Sequence, residues 1–271
     1  MKSISPYLVD PDKPFKLADV DPDDRELFPL KKKEGKALLP ELTYKLNELH
    51  RMLYREGKHK ILIVIQTMDA GGKDGTVRNV FQPLDPMNFR MVSFKAPSTL
   101  ERSYDYLWRV HQKVPRRGEI VVFNRSHYED IIAVGVKNLA PKEVWERRFE
   151  HIVNFEKMLT DEGVTILKIY LHISKEEQRE RFQSRIDEPE KNWKFNQADL
   201  DDRARWDEFM ETYEEVINRT NTKFAPWMVV PANRKWHRNL VIADAVTKLM
   251  EGLDMKLPEL DYDPKDFAVI E

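Results

Sequence analysis

Thr67-Met68-Asp69-Ala70-Gly71-Gly72-Lys73-Asp74-Gly75 gathers three of the chain's 9 glycines around one lysine. The stretch follows the apolar run Lys60 to Gln66 and precedes a helical pattern from Thr76 to Phe81. A strand, a glycine loop, a lysine and a helix in that order are what a phosphate-binding loop requires. Small residues let successive backbone N–H groups turn inward around phosphate oxygens. The helix aims its N-terminus at the anion, and the lysine reaches the outer phosphates. Ala70, Gly71, Gly72, Asp74, Gly75 and Thr76 are therefore candidate phosphate-binding residues, and Lys73 a candidate catalytic cation. The loop departs from G-x-x-x-x-G-K-[ST], the Walker A pattern. Thr67 stands where the first glycine belongs, and Asp74 where a hydroxyl would hold magnesium. Asp69 adds a carboxylate inside the loop. A carboxylate beside phosphates repels them unless a divalent cation sits between, so Asp69 implies Mg²⁺ (or Mn²⁺) or a proton-transfer role. The competing reading is a glycine-rich strand-to-helix turn with an incidental lysine.

A second polar cluster closes another apolar run, Ile120 to Phe123, with Asn124-Arg125-Ser126-His127-Tyr128-Glu129-Asp130. In folds with phosphate loops an acid at such a strand end grips magnesium. Here the position is Asn124, which cannot supply charge, so Asp69 is expected to carry more of the metal. Arg125 is placed to contact a transferring phosphoryl group with two parallel N–H donors. Further on, Arg181 and Arg185 lie four apart on a helical stretch, beside the apolar pair Phe182 and Ile186. Lys191 and Lys194 follow in a Pro-broken loop. The segment of about 175–206 reads as a lid over an anionic substrate, or as a solvated helix with Glu/Arg pairs. Lys95 ends the second strand, and Arg109 and Arg116, with Lys113 and Arg117, either line a polyanion channel or face water. The 7 histidines lack the spacing of a zinc site.

These groups need a scaffold. Strands are expected at Lys60–Gln66, Phe89–Lys95, Glu119–Asn124, Thr165–Ile173 and Trp227–Val230, with helices between them. Leucines recurring from Leu38 to Leu53 predict a helix over 37–54. Trp145, Phe149, Ile152, Phe155 and Leu159 form one helical stripe, and Ser174 to Glu177 reads as a capping box. Parallel strands need such crossovers, so the fold class is α/β with a five-stranded parallel sheet. Residues 1–36 read as an arm lying on the body or on a neighbouring subunit, and 37–265 as a single domain. Lys and Arg number 45 against 47 Asp and Glu, which leaves a net charge of −2 and no field to hold nucleic acid. The longest apolar run, Ile61 to Ile65, falls far short of the roughly 20 residues of a membrane span. Cysteine is absent. A soluble cytoplasmic protein with no membrane partner is the expectation. Trp193, Trp206, Trp227 and Trp236 read as core or subunit-contact residues.

Met68 to Gly75, Phe123 to Glu129 and Asn192-Trp193-Lys194-Phe195 together resemble the polyphosphate kinase 2 family, as do Asp105 to Arg109 and Ala225-Pro226-Trp227. The Asn-Arg-Ser-His-Tyr form and the Asp after Lys73 are most similar to its class III branch. The resemblance spans roughly 35–265. It implies a P-loop kinase-like three-layer α/β/α sandwich with a helical lid. It also implies magnesium-dependent phosphoryl transfer between inorganic polyphosphate and nucleoside mono- or diphosphates (AMP/ADP, GMP/GDP), and a homodimer or homotetramer. By the same resemblance the essential residues are Asp69, Lys73 and Arg125, and the lid cations Arg179, Arg181, Arg185, Lys191 and Lys194. The alternatives are an ATP-dependent small-molecule or nucleoside kinase, and a non-catalytic polyphosphate or nucleotide sensor.

Overall fold

The computed structural model describes residues 4–259 and Asp263. The apolar runs become β1 (Lys60–Gln66), β2 (Phe89–Ser93), β3 (Glu119–Asn124), β4 (Val164–His172) and β5 (Trp227–Pro231). All pair in parallel, in the order β2-β3-β1-β4-β5. The central place of β1 explains its composition. It is covered on both faces, and Ile61 to Ile65 expose nothing to solvent.

The first helices are α1 (Lys32–Glu56), α2 (Lys73–Thr76), α3 (Thr99–Arg102) and α4 (Trp108–His111). After β3 come α5 (Glu129–Val136), α6 (Lys142–Trp145) and α7 (Arg148–Asp161). After β4 come α8 (Lys175–Asp187), α9 (Gln197–Ala204) and α10 (Trp206–Thr220), and α11 (Lys235–Glu251) follows β5. Helices α1 and α11 pack on each other, while α5, α7 and α10 form a second group. None of the described helices is long and apolar enough to cross a membrane.

Register positions the chemistry. Ile65 of β1 pairs with Asn124 of β3, so the loops that follow these two strands leave the sheet side by side. On its other side Gln66 pairs with Tyr170 of β4. Ligands of open parallel sheets bind at such carboxyl ends, where neighbouring connections diverge.

Several boundaries differ from the sequence expectation, each for a physical reason. Helix α1 starts at Lys32 rather than Ala37, because its first turns are polar and carry no leucine stripe. The Glu34 carboxylate accepts from the Lys31 N–H at 2.8 Å and satisfies that end. Strand β2 stops at Ser93, short of Lys95. The expected helix over 76–81 begins earlier, as α2, and winds into a π turn over Val77–Phe81. The Ser174 box forms only by half. Its hydroxyl accepts from the Glu177 N–H at 3.1 Å, but the Glu177 carboxylate turns instead to Arg181. Trp206, Trp227 and Trp236 are buried, whereas Trp193 is 77% exposed beneath the Lys194 ammonium.

The arm lies on the body of its own chain. Val9 N–H donates to Trp227 O (2.9 Å) and Val229 N–H to Tyr7 O (3.0 Å), covering the free edge of β5. Under the β3 turn lies a buried polar knot. The Lys168 ammonium donates to Glu156 Oε2 (2.6 Å), Thr220 O (2.6 Å) and Tyr128 Oη (3.1 Å). Tyr128 Oη donates to Glu156 Oε1 (2.8 Å), and His127 Nε2 lies 3.2 Å from the same oxygen. All four side chains are inaccessible to solvent.

Candidate active site

The phosphate loop is tied down at both ends. Thr67 Oγ1 donates to Leu171 O of β4 (2.6 Å), and Gly71 N–H donates to Met68 O (2.9 Å). Two glycines are obligatory here. A Cβ on Gly71 would sit 1.9 Å from Thr67 Oγ1, and Gly72 combines φ +105° with an approach of 2.0 Å to the Arg238 guanidinium. Gly75 has an ordinary φ, and its nearest neighbour would lie 3.4 Å away. Gly71→Ala is therefore expected to lower kcat/KM by on the order of a hundredfold through displacement of the loop. Gly75→Ala, measured in the same assay, should stay within a few fold of wild type.

Asp69, Lys73, Asp74, Asn124 and Arg125 line one cavity of about 460 Å³, with Arg185 and Lys194 at its lid side and Lys95 at the β2 side. The Arg125 guanidinium donates to Asp69 Oδ1 at 2.7 Å. Arg125 also holds φ +62° and Ala70 φ +60°. Left-handed backbone at two non-glycine residues is strain of the kind functional loops store. Lys73 is half-buried and donates to Thr67 O at 3.2 Å. Burial, and then the Arg125 charge, lower its pKa against the opposing pull of Asp69, Glu129 and Asp74. Burial raises the Glu129 pKa, opposed by Arg125 and Lys73. Gln66 hydrogen-bonds Ser126 Oγ at 3.0 Å and so links the ends of β1 and β3.

The loop's departure at Asp74 meets the missing acid at the end of β3. Asn124 Nδ2 donates to Asp74 Oδ1 at 2.7 Å. An aspartate in place of Asn124 would set two carboxylates against each other. The exchange of acid and polar residue between these two places is internally consistent.

A larger cavity of about 880 Å³ opens on the other side of Arg125 and shares Phe94, Lys95 and Ala96 with the first. Tyr104, Tyr106, Val134 and Leu139 give it apolar and aromatic walls, and Glu129, Asp130 and Arg109 polar ones. Arg109 is buried, donates to Lys95 O (2.8 Å) and lies 3.6 Å from Asp130 Oδ2.

The lid cations divide. Every N–H of the Arg181 guanidinium is spent: Nε on Glu177 Oε1, one amino group on Ala70 O and Gly71 O, the other on Ala232 O and Asn233 O. Its position holds the loop from behind. Arg185 pairs with Asp199 (2.9 Å), and Lys191 with Glu188 (2.5 Å). Arg181, Arg185, Lys191 and Lys194 line a further cavity of about 360 Å³ above Ala70, Gly72 and Gly75, together with Glu177 and Glu180. Arg179 points to solvent and lines none of these cavities, and Arg116 sits just before β3, at the opposite end of the sheet. Thr76, the last residue of α2, is buried.

Sequence reasoning missed Arg238. It lies in the first turn of α11 between His237 and Asn239, is 2% exposed, and donates to Asn239 Oδ1 at 2.9 Å, with Gly71 O at 3.5 Å. Burial, and then the Arg181 charge, hold it below the usual arginine range. No local pattern marks it, because His237 and Asn239 flank it and α11 carries other polar residues.

The donor set suits a hard cation only. Asp69 and Asp74 are oxygen donors, and among the described residues no group of three or more His, Cys, Asp or Glu is placed to hold a metal ion. An octahedral ion bound here by one or two carboxylates would take its remaining ligands from water and phosphate, as Mg²⁺ does.

Comparison with known proteins identifies this arrangement. A protein of Meiothermus ruber, an AMP/ADP-polyphosphate phosphotransferase, is 52% identical over 93% of this chain and 95% of its own length. An ADP-polyphosphate phosphotransferase of Rhodopseudomonas palustris is 41% identical over 82% of this chain and 81% of its own. The crystal structure of polyphosphate kinase 2 from Arthrobacter aurescens TC1 superposes with a TM-score of 0.90 at 39% identity, covering 93% of this chain and 90% of that one. Residues 29–258 match the family model of polyphosphate kinase 2. With fold, loop and sequence in agreement, the chain belongs to the polyphosphate kinase 2 family.

Proposed function

We propose that this protein transfers phosphoryl groups between inorganic polyphosphate and nucleoside mono- or diphosphates. The observation that carries the proposal is the meeting of two unlike cavities at Arg125. One is polar and walled by the phosphate loop and lid cations; the other is larger and partly aromatic. Two anionic substrates can approach one reaction point from opposite sides, the polyphosphate end over the loop and the nucleoside in the aromatic cavity.

The chemistry is an in-line displacement. An acceptor phosphate oxygen of the nucleotide attacks the terminal phosphorus of polyphosphate, a new P–O bond forms, and the bridging P–O bond breaks to leave a chain shorter by one phosphate. Lys73 and the loop N–H groups hold the polyphosphate end. Arg125 neutralises the charge that spreads over the transferring group, and Asp69 fixes the Arg125 guanidinium. A magnesium or manganese ion held by Asp69 would screen the phosphates from that carboxylate.

The lid contributes in two ways. Arg185 and Lys194 face the cavity and attract the chain, whereas Arg181 supports the loop. Arg185→Ala should raise KM for polyphosphate severalfold, with the thermal midpoint within a few degrees of wild type. Arg181→Ala should instead lower both kcat and the midpoint, because four carbonyls and Glu177 lose their donor. The activity itself is tested by supplying polyphosphate with each of AMP, ADP, GMP and GDP in the absence of ATP. Formation of the next higher nucleotide is expected. Turnover that needs ATP as donor would mark a conventional kinase.

A further inference from the structure

Past Gly75 the lid-side cavity runs into another of about 700 Å³, and the two share Gly75, Lys235 and Arg238. The second cavity lies between the N-terminal turns of α1 and α11. Its charged lining is Lys32, Lys36, Arg234, Lys235 and Arg238, and no acidic residue lines it. The helices approach this closely because Gly35 has no side chain; a Cβ there would come within 2.2 Å of the Trp236 ring.

In a chain with more acids than bases, five cations in one groove without an acid call for an explanation. Lys32, Lys36 and Lys235 are exposed and make no ion pair among the described residues. Arg234 pairs with Asp23 at 2.5 Å, on the arm, and its buried Nε has no partner. Arg238 is buried with only neutral oxygen acceptors around its guanidinium. A buried cation without a counterion is costly, and a polyanion lying in the groove would supply the missing charge.

We infer that this groove is a distal subsite for inorganic polyphosphate, through which the chain leaves the phosphate loop over Gly75, passes Arg238 and Lys235, and reaches Lys32 and Lys36 on α1. The inference rests on the proposed transfer reaction and adds a chain-length preference to it. A short oligophosphate fills the loop and leaves the groove empty. A long chain collects attraction from every cation along the path, and salt weakens the sum.

The test compares wild type with Lys32→Gln/Lys36→Gln, two exposed side chains that make no ion pair among the described residues. Steady-state KM is measured for long-chain polyphosphate, for tripolyphosphate and for the nucleotide, at low and moderate salt. The variant should raise KM for the long chain about three- to tenfold, as expected for two screened ion contacts. KM for tripolyphosphate and for the nucleotide should not change. Lys36→Glu should widen the difference and added salt should narrow it. An unchanged long-chain KM in a variant that turns over normally would overturn the subsite and leave the transfer reaction standing. So would an equal rise for both chain lengths. Absence of polyphosphate turnover in wild type would overturn the transfer reaction, and the subsite with it.

Discussion

Asp69→Asn and Lys73→Met should each lower kcat by a factor on the order of 10² to 10³, while the thermal midpoint moves by no more than about 2 °C. The two effects separate because these side chains work at the rim of the cavity rather than in the core. The Asp69–Arg125 pair leaves 41% of the arginine side chain exposed, and pairs that exposed add at most about 1 kcal/mol to folding. The Lys73 ammonium makes one bond, to Thr67 O. In the reaction the same charges act, already oriented, on a group whose own charge is being redistributed, where each is worth far more. Steady-state kinetics beside a melting curve decides the matter. Near wild-type turnover of Asp69→Asn at saturating magnesium would remove its carboxylate from the chemistry.

The largest effect on stability is expected at the knot beneath Arg125. Glu156→Gln or Lys168→Met leaves one charge or its neighbours without compensation in a region closed to solvent. Breaking a buried pair in this way costs about 3–5 kcal/mol. For a chain of this size that corresponds to a fall in the midpoint on the order of 10 °C. The double variant Glu156→Gln/Lys168→Met removes both charges and should recover a large share of the loss, since neither is left alone. A double-mutant cycle read by chemical denaturation measures the coupling. Additive losses would show that Glu156 and Lys168 are stabilised independently, for instance through Tyr128 and Thr220.

How much of this was legible in the sequence follows from where the information sits. The phosphate loop was legible because its composition has few other uses: glycines that a Cβ would make impossible, followed at once by a lysine. The strands were legible because a parallel sheet covered on both faces demands short, continuous apolar runs. Arg181 was misleading. Beside Arg185 on a helix it looks like one of a pair of free cations, yet its neighbour faces the cavity while its own guanidinium is consumed by carbonyls of two other segments. Only tertiary contact determines that. Glu177 shows the same limit, since a capping-box acid and the partner of an arginine one turn later look identical in sequence. Lys168 was read as part of an apolar strand because its partners come from α7, the β3 turn and α10. The groove between α1 and α11 joins residues about two hundred positions apart, and no local pattern announces it.

The central claim is direct transfer of a phosphoryl group from polyphosphate to a nucleotide. Its most direct measurement follows labelled polyphosphate in a single turnover with AMP or ADP, with no ATP present. The account predicts that label appears in the newly formed terminal phosphate of ADP or ATP, at a rate that Asp69→Asn reduces. Label released only as inorganic phosphate, with the nucleotide unlabelled, would contradict it.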